Sequence, residues 1–159
     1  MKLIRTLLIF CLALTLPSAW AETTTLRIGN LRIQAEVAST PQSRSQGLMQ
    51  RTQLCADCGM LFVFPQAGRH AFWMKNTPLP LSIAFIAADG TILNIEEMQP
   101  NTTDTHISQE DALYALEMKS GWFIQRGVKS GDKINGLPSG IKVSRLLSFS
   151  TMPVLGSTR

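Results

Sequence analysis

Apolar and polar positions alternate along most of this chain, the period of strands with one buried face. In TLRIGNLRIQAEVA the apolar set is Leu26 and Ile28, then Leu31, Ile33, Ala35 and Val37. Gly29-Asn30 separates the two runs and predicts a tight hairpin turn. A second hairpin is expected in LSIAFIAADGTILNIEEM, where Asp89-Gly90 suits a type I′ turn. GMLFVF and AFWM are short apolar runs bounded by Gly and Pro, which read as buried strands; ALYALEM and IKVSRLL are further strand candidates. Helical signals are few. TPQSRSQGLMQR opens with Thr40 as N-cap and Pro41 at the first helical position, with Gly47 weakening the interior, so about two turns are expected. SGWFIQRGV predicts a second short helix from Ser120, stopped by Gly127. No internal repeat or linker divides the chain, so the pattern implies one mainly-β domain.

The N-terminus departs from this alternation. Lys2 and Arg5 lead an apolar run from Leu7 to Leu16, followed by Pro17 and the A-x-A set Ala19-Trp20-Ala21. This is the pattern of a secretory signal peptide over residues 1–21, cleaved after Ala21. The run is well short of the ~20 residues that span a bilayer. Cys11 follows no lipobox, so it is not read as a lipidation site. The expected location is periplasmic or secreted, with no transmembrane span after cleavage. The sequence then divides into the leader, a β-rich domain over 22–147, and a tail over 148–159 that lacks a period and is expected to be loose.

Cleavage changes the charge and the thiol count. The +4 net charge drops to +2 when Lys2 and Arg5 leave, and the remaining Arg and Lys form no basic cluster, so nucleic acid is not an expected partner. Cys11 also leaves, making Cys55 and Cys58 of CADC the only thiols. An even, closely spaced pair in an oxidising compartment reads as a disulfide. A helix precedes the pair and a strand follows it, the reverse of the order that activates a redox thiolate. A tetrahedral zinc or copper site built from Cys55, Cys58, His70 and His106 is the alternative; otherwise no cofactor is expected. The six methionines left after cleavage are dispersed in apolar runs and read as core.

The densest chemistry lies in GRHAFWMKNTPLPL. If this stretch is a strand, Ala71, Trp73 and Lys75 share one face and Phe72, Met74 and Asn76 the other. One reading makes Phe72 and Met74 core, with Lys75 and Asn76 starting a turn before Pro78. The other makes the stretch a polar and aromatic rim for a carboxylate, phosphate or sugar, and Arg51, Trp73, Lys75 and Asn76 are its candidate ligand-binding residues. No common nucleophile, metalloprotease or phosphate-loop motif is present. Asp89, Glu96 and Glu117 are carboxylates for a cell-wall or polysaccharide hydrolase, but the sequence defines no pair among them.

GLMQR, GMLFVFP, FWMKNTPLPL, FIAADGTI and ALEMKSGW…GVKSGDKI follow one another in an order and spacing that resembles the uncharacterised bacterial and archaeal family called domain of unknown function one-ninety-two. The resemblance implies a compact single-domain β-sandwich or barrel with one or two short helices. Its motif positions fall on Gly47, Leu48, Met49, Arg51, Gly59, Met60, Phe62, Phe72 to Asn76, Pro80, Gly90, Gly131 and Asp132. Ser82 and Ala87 stand where the family usually has acidic residues, and CADC is an addition to its pattern. The resulting expectation is a non-catalytic exported domain that binds a small anionic or glycan ligand, or an envelope protein.

Overall fold

A computed structural model describes residues 22–139. The leader, IKVSRLL and the C-terminal tail, on which sequence-based expectations were placed, lie outside these residues. In chain order the elements are β1 (Thr23–Ile28), β2 (Leu31–Ala38), α1 (Pro41–Gln46), β3 (Cys58–Gly68), β4 (Ala71–Phe72), β5 (Leu81–Ile86), β6 (Ile92–Met98), β7 (His106–Ile107), β8 (Ala112–Lys119), α2 (Trp122–Gln125) and β9 (Ile134–Asn135). The domain is mainly β with two short helices.

Seven strands form one sheet in the order β6-β5-β8-β3-β2-β1-β9, and β4 pairs separately with β7. All the sheet pairings are antiparallel except β2 with β3, where Gln34 faces Cys58 and Ala38 faces Phe62. A parallel pair cannot be joined by a tight turn, so residues 39–57 must cross over the sheet, and they carry α1 with them. The sheet curls into a half-barrel. Its far edges are tied at one end by a Thr91–Lys133 bridge and by hydrogen bonds from Ile92 N to Asp132 O and Ile134 N to Gly90 O.

Strand alternation sends side chains into two separate cores. Leu26, Ile28, Ile33, Leu61, Val63, Ala84, Ile86, Tyr114, Leu116 and Met118 pack together on one face of the sheet, with Trp122 and Phe123 of α2. Met60, Phe62, Ile83, Phe85 and Ala115 pack on the other face with Ala38, Leu48, Met74, Leu81 and Met98. β5 is buried at all six positions because both of its faces are covered.

Local signals place most of the elements. Thr40 caps α1 as expected, its Oγ1 accepting from Ser43 N at 3.0 Å. Gly47 ends this helix with φ 49° instead of sitting inside it, which limits α1 to six residues. Ile28 pairs directly with Leu31, so Gly29-Asn30 forms the tight turn. The Asp89-Gly90 hairpin differs from expectation. Gly90 has φ 85°, but Asp89 is not in the left-handed region, and Gly90 N donates to Ala87 O. This is a turn over Ala88-Asp89 followed by a left-handed glycine, not a type I′ turn, and it leaves a register shift between Phe85 and Ile86.

The largest correction falls on AFWM. Only Ala71–Phe72 is strand. Met74 N donates to Thr102 O, Thr77 N donates to Met74 O, and Asn76 adopts φ 56°. The Pro78 and Pro80 rings supply no ladder donors, so the stretch turns instead of extending. The strand faces expected for Trp73, Lys75 and Asn76 therefore do not exist, whereas Phe72 and Met74 do pack in the core.

Candidate functional site

Glu117 is the one buried charged residue among the described residues. Its place follows from the pleat of β8. Tyr114, Leu116 and Met118 point into one core, so Ala115 and Glu117 must point into the other. In register, Glu117 lies between Met60 of β3 and Ile83 of β5, which bring no polar partner. The buried Thr77, Ser82, Asn94 and Ser108 all make side-chain hydrogen bonds, whereas the Glu117 carboxyl makes none among the described residues. Removal from water without a compensating charge pushes its pKa up to about 8. At neutral pH the group is thus a carboxylic acid and offers an O–H donor.

The Glu117 side chain lines a cavity of about 300 Å³ between the sheet, the end of α1 and β4. Its walls are aromatic. Phe62 and Phe72 meet edge to face at 4.9 Å, and Phe64 stacks on the His70 ring at 3.4 Å. Arg44 lies over the Phe64 ring, 5.6 Å from its centroid, and its Nη1 donates to Val63 O at 3.0 Å and to Ser39 O. His70 Nε2 is buried without a hydrogen-bond partner, and burial holds the pKa of this imidazole below its ordinary value. Trp73 stands at the mouth, 52% exposed. A larger recess of about 440 Å³ beside Gly29 and Arg126 contains no buried ionisable side chain.

Of the four residues expected to bind a ligand, only Trp73 lines this cavity. Arg51 pairs with Glu36 at 2.6 Å. Lys75 places its Nζ 5.5 Å from the centre of the Trp73 ring, and Asn76 accepts a hydrogen bond from Gln50 N through its backbone. Arg44, His70 and Glu117 were not grouped by sequence reasoning. One signal pointed to Glu117: it is the single acidic residue inside the otherwise apolar run ALYALEM.

The other candidates are engaged elsewhere. Asp89 bonds Thr91 and Lys133, and these contacts hold its carboxyl well below the usual range. His106 Nδ1 is 2.8 Å from Glu96 Oε2, and Asn94 Nδ2 donates to the same carboxylate. Glu97 accepts from the Ser82 and Ser120 hydroxyls and from Gly121 N. Among the described residues no three His, Cys, Asp or Glu side chains gather where they could hold a metal ion, so Cys55, Cys58, His70 and His106 are not brought together.

Cys55 and Cys58 are joined in a disulfide at the entry to β3. The short ring presents Asp57, whose Oδ1 accepts from Trp122 Nε1 at 3.0 Å and Arg126 Nη2 at 2.7 Å. The pair thus staples the end of the crossover to the first residue of β3, and Asp57 ties the ring to Trp122 of α2 and to Arg126. Replacing both cysteines by serine is expected to cost about 2 kcal/mol or less on the loop-entropy view. Calorimetry should show a lower Tm, with the cavity residues undisturbed.

The model of the DUF192 family, described as Uncharacterized ACR, matches residues 23–136. A crystal structure of a proposed transcription regulator from Sinorhizobium meliloti 1021 is 38% identical, with a TM-score of 0.71 over 73% of this chain and 95% of that one. A protein of unknown function from Novosphingobium aromaticivorans DSM 12444 is 31% identical, with a TM-score of 0.65 over 70% of this chain and 82% of that one. No curated protein matches the chain. Among the described residues, no helix is long and apolar enough to cross a membrane.

Proposed function

Since the chain belongs to the DUF192 family, described as uncharacterised, we propose from its cavity that it is a non-catalytic, exported domain that binds a small ligand above Glu117. The observation that carries this reading is the unpartnered Glu117 carboxyl on an aromatic wall. The carboxyl meets only the cavity space, and a ligand that bonds it in place of water gains a hydrogen bond worth about 0.5–1.5 kcal/mol. A concave apolar site with few polar groups and a displaced pKa is also the usual form of a small-molecule site. The leader pattern and the Cys55–Cys58 disulfide support an oxidising, exported location. Among the described residues Glu117 is the only carboxylate lining the cavity, so these residues do not assemble the two-carboxylate arrangement of a glycosidase there.

The reading is tested by recording amide shifts of the exported protein against a fragment library. Shifts should cluster at Phe72, Trp73 and Glu117, and should vanish in Ala71→Trp, which fills the cavity mouth. A library that moves only residues elsewhere on the surface removes the cavity from consideration.

A further inference from the structure

We propose that the ligand of the Glu117 cavity is a small organic acid with an aromatic or branched apolar body, its carboxylate held by Arg44 and Glu117. This rests on the cavity being a binding site. Ser45 and Gln46 at the lining are exposed to water, and the less exposed side chains with unused hydrogen-bonding groups sort by what they can offer. Arg44 offers donors alone, and only its Nη1 is bonded; among the described residues no acceptor meets Nε or Nη2. Glu117, kept protonated by burial, offers an O–H. His70 Nε2 is shut off from solvent, with the Gln66 and Ala112 backbone beside the ring, so His70 contributes a stacked wall and not a bond to the ligand.

A carboxylate only accepts, and it can take bonds from both groups. A cationic amine fits less well, because it would sit beside the Arg44 guanidinium and face a neutral carboxyl. A neutral alcohol or sugar satisfies donors but gains nothing from the Arg44 charge. No second carboxylate lines the cavity to repel an acid. Phe62, Phe72 and Trp73 supply the apolar surface for the rest of the molecule, and about 300 Å³ is at the small end of ligand sites, enough for one ring and a short chain.

Three probes of matched shape separate the possibilities: 3-phenylpropanoate, 3-phenylpropan-1-ol and 3-phenylpropylamine, titrated at neutral pH and followed by Trp73 and Glu117 amide shifts. The acid should bind about tenfold or more tightly than the alcohol, and the amine more weakly still. Arg44→Gln should erase the acid's advantage over the alcohol. Because Arg44 also holds two backbone carbonyls, Glu117→Leu provides a second check, removing the carboxyl donor while leaving an apolar side chain. It too should weaken the acid more than the alcohol. An amine that binds best, or an acid advantage that survives both substitutions, overturns the organic-acid assignment and leaves the cavity reading standing. Silence from all three probes overturns the acid as well, and if the fragment library also leaves the cavity unmoved, both readings fall.

Discussion

Glu117→Gln is expected to make the protein more stable at pH 8 and to flatten its stability between about pH 5 and 8. The sign follows from the proton balance. The folded carboxyl titrates at about 8 and the unfolded one near the ordinary value of 4.5. Below 4.5 both states hold the proton, and the stability that burial of the neutral form permits is fully present. Between the two values the unfolded chain releases its proton while the folded chain keeps it, so stability falls as pH rises. The decline levels off above the folded value, and its ceiling is several kcal/mol, at roughly 1.4 kcal/mol per pKa unit. Gln keeps the shape and cannot ionise. His70 contributes an opposite slope below about its ordinary 6.5, since its pKa is lowered in the fold, but that slope is common to both proteins and cancels in the difference. Urea denaturation at a series of pH values measures the two curves. Parallel curves would show that Glu117 is not the buried group that titrates.

Gly59→Ala is expected to be strongly destabilising, costing about 3 kcal/mol or more. Gly59 faces Met118 across the β3–β8 ladder. A Cβ there would stand 2.4 Å from Glu117 O and 2.4 Å from Met118 Sδ. The sulfur sits on a flexible side chain and can move. The carbonyl is part of a central strand, so β8 must be pushed away from β3. The displacement would carry Glu117 with it, and any folded remainder should respond poorly to ligand. Thermal unfolding followed by circular dichroism gives the stability loss, and an unchanged Tm would mean that the two strands can separate without penalty.

The parts of this fold that local chemistry controls were legible in the chain. Thr40-Pro41, Gly29-Asn30 and the alternation in LRIQAEVA each act over a few residues, and each appears in the structure near its expected place. The turn at Lys75-Asn76, with Phe72 and Met74 in the core, matches one of the two readings of this stretch. The strand expected over AFWM is cut to Ala71–Phe72, since Asn76 in the left-handed region and the two prolines beyond it turn the chain. The site was the least legible feature. Arg44, His70 and Glu117 are separated by 26 and 47 positions and converge only because β3 and β8 pair and the crossover returns α1 over them. Glu117 was visible as an anomaly in an apolar run. Its meaning depends on which neighbours lack polar groups, and that is a property of the assembled sheet. The cations that stood out in the sequence drew attention to the rim, where Arg51 already has Glu36 as its partner.

The tie between the Gly90 turn and the segment before β9 also bears on how the protein behaves in a crowded compartment. An open sheet ends in rows of unpaired amides that can recruit strands from other molecules. Here one outer strand, β9, is only two residues long, and its approach is already bonded to the start of β6. The other outer strand carries the adjacent charges of Glu96 and Glu97 near its far end. The β9 edge therefore offers little regular backbone on which another chain could template, and on the longer β6 edge two adjacent carboxylates oppose strand addition, with or without a ligand.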